Sequence, residues 1–473
     1  MAVYGGGDRA ARIDRVLERY LAHHMFSGSV LVAEAGEVIY QKGHGLANRE
    51  WGTPHDPHVK FGVASLTKSF TAILAMQLVQ AGKLDTAKVI AAYLPDYPSP
   101  NGRRITLHHL LAHRSGIPHY IQIPGWFEGK FKQPIDDGEF LKIITALDLN
   151  FEPGSNQRYS NSNYFILGLI IEKVTGQSYD AVLHGNILKP LGMAESGCDH
   201  RGDILTKRAP AYVWSPDGGY RNADYVNMEV FKGTAGIYTT VGDLFKLDQA
   251  LYSEKLLSRA SKEILFNPEA PYGWNVEQRQ LKGGSEPRET IGYNGSINGF
   301  DAMVTRFVAD RHAVILLSNS STGYDVLYDL TDDIAAVLYD LPMAAEKLPA
   351  SFCLTQAWFD GDFEQAIARV RAHQSDYALD ERRLNQLGYR LRYTPRLKDA
   401  TAVFRLNTEL FPRSAAAFHH LAEAYRAQEN RPLAVENYRK SLALDPDNPA
   451  ARAILSEWKT PMTAEPHPPP KHR

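Results

Sequence analysis

Cysteine is scarce in this chain, and long hydrophobic runs are missing. Only Cys198 and Cys353 occur among 473 residues, which is too few for a disulfide framework, and we expect both to be buried thiols. The longest apolar runs, such as residues 165–171, are far shorter than the roughly 20 residues that cross a bilayer. These runs therefore predict core segments and no membrane span.

Excess charge of one sign is also missing. The formal net charge of −2 gives no electrostatic reason to expect binding to nucleic acid or to an anionic membrane. The first residues lack a basic segment followed by an apolar stretch, so the sequence shows no signal peptide. Two locations stay open: the cytoplasm, or the periplasm or exterior if an export signal has been removed.

The length of 473 residues exceeds one ordinary hydrophobic core and predicts two domains. Strand patterns at residues 29–33 and 38–41, and again at 300–306 and 312–318, enclose a mostly helical middle. Strands at both ends predict one antiparallel sheet flanked by helices, with a helical lobe between them. We expect this α/β domain to span residues 8–341, with a last helix at 324–341 packed on the sheet.

A different, all-helical pattern follows a linker at residues 342–350. Within it, small, aromatic and proline residues recur 34 positions apart, which is the period of tetratricopeptide repeats. The recurring pairs are Leu387 and Leu421, Gly388 and Ala422, Ala400 and Ala434, Phe404 and Tyr438, and Pro412 and Pro446. Residues 351–457 therefore resemble a short helical solenoid. Its groove would hold a protein or peptide partner, although its surface could equally pack on the first domain or form a dimer. Residues 458–473 are proline-rich and polar and predict a disordered tail.

The motif Ser65-Leu66-Thr67-Lys68 stands where an amphipathic helical pattern begins. Residues three apart share a helix face, so the Lys68 amine can lie beside the Ser65 hydroxyl. A serine hydroxyl needs a neighbouring base to become a nucleophile, and a lysine in a dry pocket can lose its proton and act as that base. Ser456 and Lys459 repeat the spacing at the end of the last repeat helix, and we interpret that copy as chance.

Two further motifs carry polar groups into the same predicted cleft. Tyr159-Ser160-Asn161 follows a Pro-Gly turn and precedes an apolar helix, which suits a rigid loop that presents two side chains. The glycine-rich stretch 292–300 leads into a strand, and its edge could donate a backbone N–H to an oxyanion. The Ser65 N–H at its helix start would be a second donor.

Together these motifs resemble the serine β-lactamase and penicillin-binding-protein superfamily. The stretches Leu110–Pro118, Leu188–Met193 and Gly233–Leu244 favour its class C β-lactamase-like branch, which includes family VIII carboxylesterases and D-amino-acid peptidases. The resemblance implies that Ser65 is the nucleophile, Lys68 its proton acceptor, and Tyr159 a general base that later protonates the leaving group. It implies substrate binding by Asn161 and an oxyanion hole from the N–H groups of Ser65 and Ser296. The remaining predicted substrate-binding residues are Tyr293, Asn294 and Gly295.

The third motif departs from the pattern of the superfamily. Relatives carry Lys-Thr-Gly or His-x-Gly where this chain has Tyr293-Asn294-Gly295. A neutral tyrosine removes a positive charge that would attract a substrate carboxylate, so the sequence favours a neutral ester or small amide over a β-lactam. A D-amino-acid peptidase, a β-lactamase and a non-catalytic sensor acting through its repeats remain alternatives.

Other chemistries have little support in the sequence. No Gly-x-Ser-x-Gly elbow occurs, which argues against an α/β-hydrolase. His109 and His113 are four apart without a HExxH motif, so we expect them to orient a loop by hydrogen bonds rather than bind zinc. The prediction is a serine hydrolase that needs no cofactor or metal.

Overall fold

The computed structural model describes residues 7–123, 125–126, 129, 132–215, 217–320, 322–342, 347–392, 394 and 396–458. The chain divides into two compact units, one of Met1–Trp214 with Tyr220–Ala345 and the other of Ser215–Gly219 with Glu346–Arg473. Part of the predicted linker, residues 343–346, lies outside the described residues. The predicted tail also lies outside them from residue 459 onward.

A six-stranded antiparallel sheet forms the centre of the first unit, as the strand patterns at both of its ends predict. In chain order the strands are β1 Gly28–Glu34, β2 Glu37–His44, β3 Leu46–Asn48, β4 Thr53–Pro54, β5 Phe61–Gly62, β6 Gly197–Cys198, β7 Tyr212–Trp214, β8 Tyr220–Asn222, β9 Ile237–Thr239, β10 Asn275–Arg279, β11 Arg288–Ile297, β12 Phe300–Phe307 and β13 His312–Ser318. The order in the large sheet is β10-β11-β12-β13-β1-β2. An early and a late segment of the first unit, β1 and β13, are therefore neighbours in the sheet.

Ten α-helices in the described part of the first unit surround this sheet or form the helical lobe. They are α1 Gly7–Ala22, α2 Thr67–Gln80, α3 Leu107–Leu111, α4 Asp137–Thr145, α5 Asn161–Thr175, α6 Tyr179–Leu183, α7 Lys189–Leu191, α8 Val241–Ala250, α9 Arg259–Leu265 and α10 Tyr324–Leu338.

Helices cover both faces of the sheet. Thr331 of α10 donates a hydrogen bond to the sulfur of Met303 on β12, so α10 lies on the face to which Met303 points. Arg306 lies three positions further along β12 and therefore points to the opposite face. There it pairs with Asp248 of α8 at 2.6 Å, with both side chains buried. With both faces covered, β13 is buried along its whole length.

Helix α2 runs through the core of the first unit. Apart from Gln77, Val79 and Gln80 its residues are buried, which is expected of a helix that is apolar on most sides. The pattern predicted a helix from Ser65 to about Ala81, whereas α2 begins at Thr67 and a 3₁₀ turn over Ala64–Leu66 precedes it. The motif serine therefore lies on a tight turn, and Lys68 lies in the first turn of the α-helix.

The second unit is built mainly from helices, and an isolated β-bridge joins Pro349 to Ala378. Its α-helices are α11 Ala350–Asp360, α12 Phe363–Ala372, α13 Glu381–Arg392, α14 Leu397–Leu410, α15 Ala415–Ala427, α16 Arg431–Leu444 and α17 Pro449–Glu457. A Cβ atom on Gly388 would lie 2.5 Å from the Phe404 ring, so α13 needs a residue without a side chain to pack on α14.

Two expectations from composition can be compared with the structure. Cys198 and Cys353 are free, but each residue is only half-buried rather than fully buried. Among the residues that the structure describes, no helix combines the length and the apolar character needed to cross a membrane.

Candidate active site

A strained turn presents Ser65 at the start of α2. Ala64, directly before it, has a φ of +48°, in the left-handed region that residues with a side chain rarely adopt. Such a conformation costs roughly 1–2 kcal/mol and is kept where the surrounding packing fixes it. Here the turn leaves Ser65 half-buried while Lys68, one helical turn further on, is fully buried.

The three side chains predicted to act together converge on the Ser65 hydroxyl. The Tyr159 hydroxyl lies 2.6 Å from Ser65 Oγ, and Lys68 Nζ donates to the same oxygen at 3.2 Å. Lys68 Nζ also donates to the Thr234 carbonyl at 2.8 Å and lies 4.9 Å from the centre of the Tyr159 ring. These distances are those of a nucleophile with two groups able to move its proton.

The surroundings of Lys68 favour the neutral amine. Its side chain is fully buried, and no ion pair engages it within the described part of the chain. Burial disfavours the charged form, so desolvation lowers the pKa of Lys68 well below its ordinary value. A neutral amine has a lone pair, which lets Lys68 accept the proton of Ser65.

Tyr159, in contrast to Lys68, keeps its proton. Its hydroxyl donates to Asn161 Oδ1 at 2.9 Å, which places the first and third residues of this motif together. Burial of the hydroxyl raises the pKa of Tyr159, although the hydrogen bond with Ser65 acts in the other direction. The residue as a whole keeps 40 % of its surface exposed. The phenol therefore keeps its proton, while part of the side chain remains accessible from solvent.

Strand β11 passes directly beside the Ser65 backbone at Gly295. A Cβ atom there would lie 2.2 Å from the Val63 carbonyl oxygen and 2.8 Å from the Ser65 amide nitrogen. Only a residue without a side chain permits this approach. The backbone of the third motif is therefore brought to the Ser65 N–H, as an oxyanion hole built from both segments requires.

The alternation of β11 separates the residues of the third motif. Tyr293 and Gly295 face the Ser65 side, and burial with Tyr159 and Tyr164 nearby raises the pKa of Tyr293. Asn294 points to the other face, where it pairs with Met303 and lines a cavity of about 180 Å³. The side chain of Asn294 is therefore not brought to Ser65, and its predicted substrate-binding role has no support from this geometry.

We expect Gly295→Ala to lower kcat by about 100-fold, because the added Cβ would push β11 away from the Ser65 amide and a displacement near 1 Å can cost that much. The control is Gly185→Ala, since a Cβ at Gly185 meets nothing within 4 Å. Steady-state kinetics on a p-nitrophenyl ester measure both variants. Equal kcat values for the two would contradict the role of the close approach.

The sequence identified some of the residues that support the cluster around Ser65, and it gave no signal for others. Thr234 accepts from Lys68 through its carbonyl, which any residue type could do. His113 orients the Tyr159 loop, as expected, by accepting a hydrogen bond from the Ser160 N–H at 3.2 Å. His109 orients a different segment, since its Nδ1 accepts from the Thr106 N–H at 3.3 Å. His119 was missed, although it accepts from the Asn161 N–H.

No group of three or more His, Cys, Asp and Glu side chains among the described residues has the arrangement of a metal site.

The fold and the cluster around Ser65 define a β-lactamase-like protein. Residues 13–338 match the Beta-lactamase family, which is more than half of the chain, and the chain therefore belongs to this family. It is a member of the superfamily of serine hydrolases that includes penicillin-binding proteins and esterases.

Three known proteins illustrate the similarity. Penicillin-binding protein 4* of Bacillus subtilis (strain 168) is 29% identical over 355 residues, which cover 69% of this chain and 75% of that protein. Esterase EstB of Burkholderia gladioli is 28% identical over 274 residues, covering 51% of this chain and 70% of the esterase. The crystal structure of a penicillin binding protein from Bacillus halodurans has a TM-score of 0.59 and 27% identity, covering 67% of this chain and 98% of that one.

Proposed function

We propose that this protein is a serine hydrolase that cleaves a neutral ester or a small amide through an acyl-enzyme on Ser65. The observation that carries the proposal is the convergence of Lys68 Nζ and the Tyr159 hydroxyl on Ser65 Oγ, at 3.2 and 2.6 Å. We place the protein in the class C β-lactamase-like branch because all three motifs stand in its order along residues 8–341.

The protonation states that burial favours support separate roles for Lys68 and Tyr159 in this proposal. Neutral Lys68 takes the proton of Ser65 while Ser65 Oγ attacks the substrate carbonyl. The N–H groups of Ser65 and Ser296 hold the oxyanion, and one such donor is commonly worth about 3 kcal/mol. As the bond to the leaving group breaks, Tyr159 donates its proton to that group, and the proton on Lys68 restores the phenol. Water then cleaves the acyl-enzyme.

The substrate class follows from the third motif. Tyr293 is neutral and buried, so it can offer a hydrogen bond but no positive charge to a substrate. A substrate without a carboxylate loses nothing when a tyrosine stands at this position instead of a lysine or histidine. A relative named as an esterase is 28% identical to this chain over 274 residues. Because other relatives are named as penicillin-binding proteins, a D-amino-acid peptidase or a β-lactamase is the second candidate.

A fluorophosphonate probe and a substrate panel test this proposal. We expect the probe to label one tryptic peptide, the one that contains Ser65, as identified by mass spectrometry. The panel contains p-nitrophenyl esters, nitrocefin and D-alanyl anilides, and we expect the esters to give the highest kcat/KM. Preference for D-alanyl anilides would overturn the ester assignment, and the absence of any labelling would overturn the hydrolase itself.

The helical unit supports a third candidate function, which belongs to another class. The 34-residue recurrence and the packing of Gly388 on Phe404 are typical of tetratricopeptide repeats, which bind peptide segments. In this alternative, the first unit would be acylated slowly and would signal through a protein bound to the repeats. Labelling of Ser65 without turnover of any panel substrate would favour it.

A further inference from the structure

Two histidines hold consecutive amides of the loop that carries Tyr159. The Ser160 N–H donates to His113 Nδ1 at 3.2 Å, and the Asn161 N–H donates to His119 Nδ1 at 3.3 Å. Both amides lie directly after Tyr159 in the chain. The pair of bonds therefore fixes the backbone from which the Tyr159 side chain extends.

The same two imidazole rings contact the Tyr159 ring. The His113 ring centre lies 4.7 Å from it at a tilt of 42°, and the His119 ring stands edge-on at 5.5 Å. The two ring contacts differ in geometry, since one is tilted and the other is nearly perpendicular. Tyr159 is therefore held both through its backbone and through its ring.

The segment between the two histidines supports the loop at further points. The hydroxyls of Ser160 and Ser162 both donate to the Pro118 carbonyl, at 3.1 and 2.6 Å, and the Arg158 N–H donates to the His113 carbonyl at 2.9 Å. His113 itself adopts a φ of +57°. A conformation of this kind persists only where its surroundings fix it, which is consistent with a segment held in one position.

A backbone N–H can donate only to a ring nitrogen that carries no proton. Both bonds therefore require an imidazole that is neutral and has its proton on Nε2. A protonated ring would instead carry a proton on Nδ1. That N–H would face the backbone N–H of the loop, and the repulsion between the two would displace the loop. The hydrogen-bond pattern thus couples the charge of each histidine to the position of Tyr159.

We propose that His113 and His119 are positioning residues that keep the Tyr159 hydroxyl on Ser65 through neutral imidazole acceptors. This inference rests on the proposed function, because it gives Tyr159 a task that depends on its placement. Neither histidine touches the substrate carbonyl in the mechanism. Their effect passes through the loop.

The groups around the two rings favour the neutral form. Burial is the largest cause that lowers the pKa of both His113 and His119 far below the ordinary value of a histidine. Arg158 acts on His119 in the same direction. The other titratable groups facing the two rings are Tyr120, Tyr159 and Tyr164. None of these supplies a negative charge that would stabilise an imidazolium.

The kinetic test compares two replacements of His119. His119→Phe keeps an aromatic ring but removes the acceptor, and we expect kcat per labelled Ser65 to fall 10- to 100-fold with KM within about threefold. His119→Asn places an amide oxygen near the position of Nδ1 and should recover most of that loss. His184→Phe, at an exposed histidine, is the matched control and should stay within about twofold of the parent.

Titration with the fluorophosphonate separates positioning from misfolding. A folding defect lowers the final amount of label, whereas a displaced Tyr159 leaves the amount unchanged and slows the labelling. Full labelling with an unchanged kcat for His119→Phe, or no recovery in His119→Asn, would overturn the inference alone. A parent protein that takes no label would overturn the proposed function together with it.

Nitrogen-15 NMR of the imidazole rings tests the tautomer without catalysis. At pH 5 a histidine of ordinary pKa, about 6.5, is mostly protonated. We expect the signals of His113 and His119, assigned from the His113→Asn and His119→Asn variants, to remain those of neutral rings with the proton on Nε2. An imidazolium or a proton on Nδ1 at that pH would contradict the inference.

Discussion

The Ser65→Ala variant is expected to lose hydrolysis of every panel substrate by about 10⁴-fold or more, and to lose fluorophosphonate labelling entirely. The hydroxyl removed is the point on which Lys68 and Tyr159 converge, so neither group can act without it. Groups that work as one unit show losses of this size when the nucleophile is deleted. The loss corresponds to at least about 5 kcal/mol of transition-state stabilisation.

Ser456→Ala is the matched control for that variant. Ser456 and Lys459 repeat the spacing of the motif, but Ser456 is exposed at the end of α17. We expect it to retain full activity and labelling. Labelling that persists in Ser65→Ala and disappears in Ser456→Ala would place the nucleophile in the second unit and contradict the proposed site.

Lys68→Met should lower kcat by about 10³-fold, since general-base assistance commonly contributes 10²–10⁴-fold. Methionine keeps the length and the burial of the side chain, so the change removes the lone pair on nitrogen with little change of volume. The loss should be independent of pH wherever the parent has a neutral Lys68. Lys173→Met, which alters an exposed lysine on α5, is the matched control. A variant with parental kcat would show that Lys68 is not the base.

The same variant should change how stability depends on pH. The pKa of Lys68 is lowered in the folded protein, whereas in the unfolded chain it is near 10.4. Between these values the unfolded chain binds a proton that the folded protein does not. The free energy of unfolding of the parent therefore rises with pH and falls as the solution becomes more acidic. The limiting slope for one group is about 1.4 kcal/mol per pH unit.

Lys68→Met removes this contribution. As the pH falls from 10 to 8, the stability of the variant relative to the parent should increase, by up to about 1.4 kcal/mol per pH unit. Chemical denaturation at several pH values measures it. A difference that does not change over this range would mean that Lys68 is charged in the folded protein, which would exclude it as the resting base.

Much of the site could be predicted because part of it is local. Ser65 and Lys68 are three residues apart at a helix start, and that spacing places them together whatever the rest of the chain does. Tyr159 is 94 residues from Ser65, and no spacing rule joins them. It entered the prediction through the order of motifs, and the structure brings its hydroxyl to Ser65 Oγ.

The remaining site residues could not be identified for two reasons. Some act through a backbone group that every residue has, and others reach the site only because the fold brings distant segments together. Thr234 contributes only a carbonyl, and His119 contributes an acceptor to an amide 42 residues away. Asn294 was assigned to the site with its neighbours. Because side chains alternate along a strand, Asn294 must point away from the side to which Gly295 points. The sequence does not say which of these two residues is directed toward Ser65.

The sequence alone determined the local order of this protein: the helix start that places Lys68 near Ser65, the strands at both ends of the first unit, and the 34-residue recurrence of the second. Tertiary structure decided the chemistry of the cluster. The Lys68 side chain is shielded from water by segments that contain Tyr159, Tyr164 and Thr234. No local sequence pattern connects these segments to Lys68. Because burial is a sum over such distant neighbours, the protonation state of a side chain belongs to the folded molecule and not to the motif.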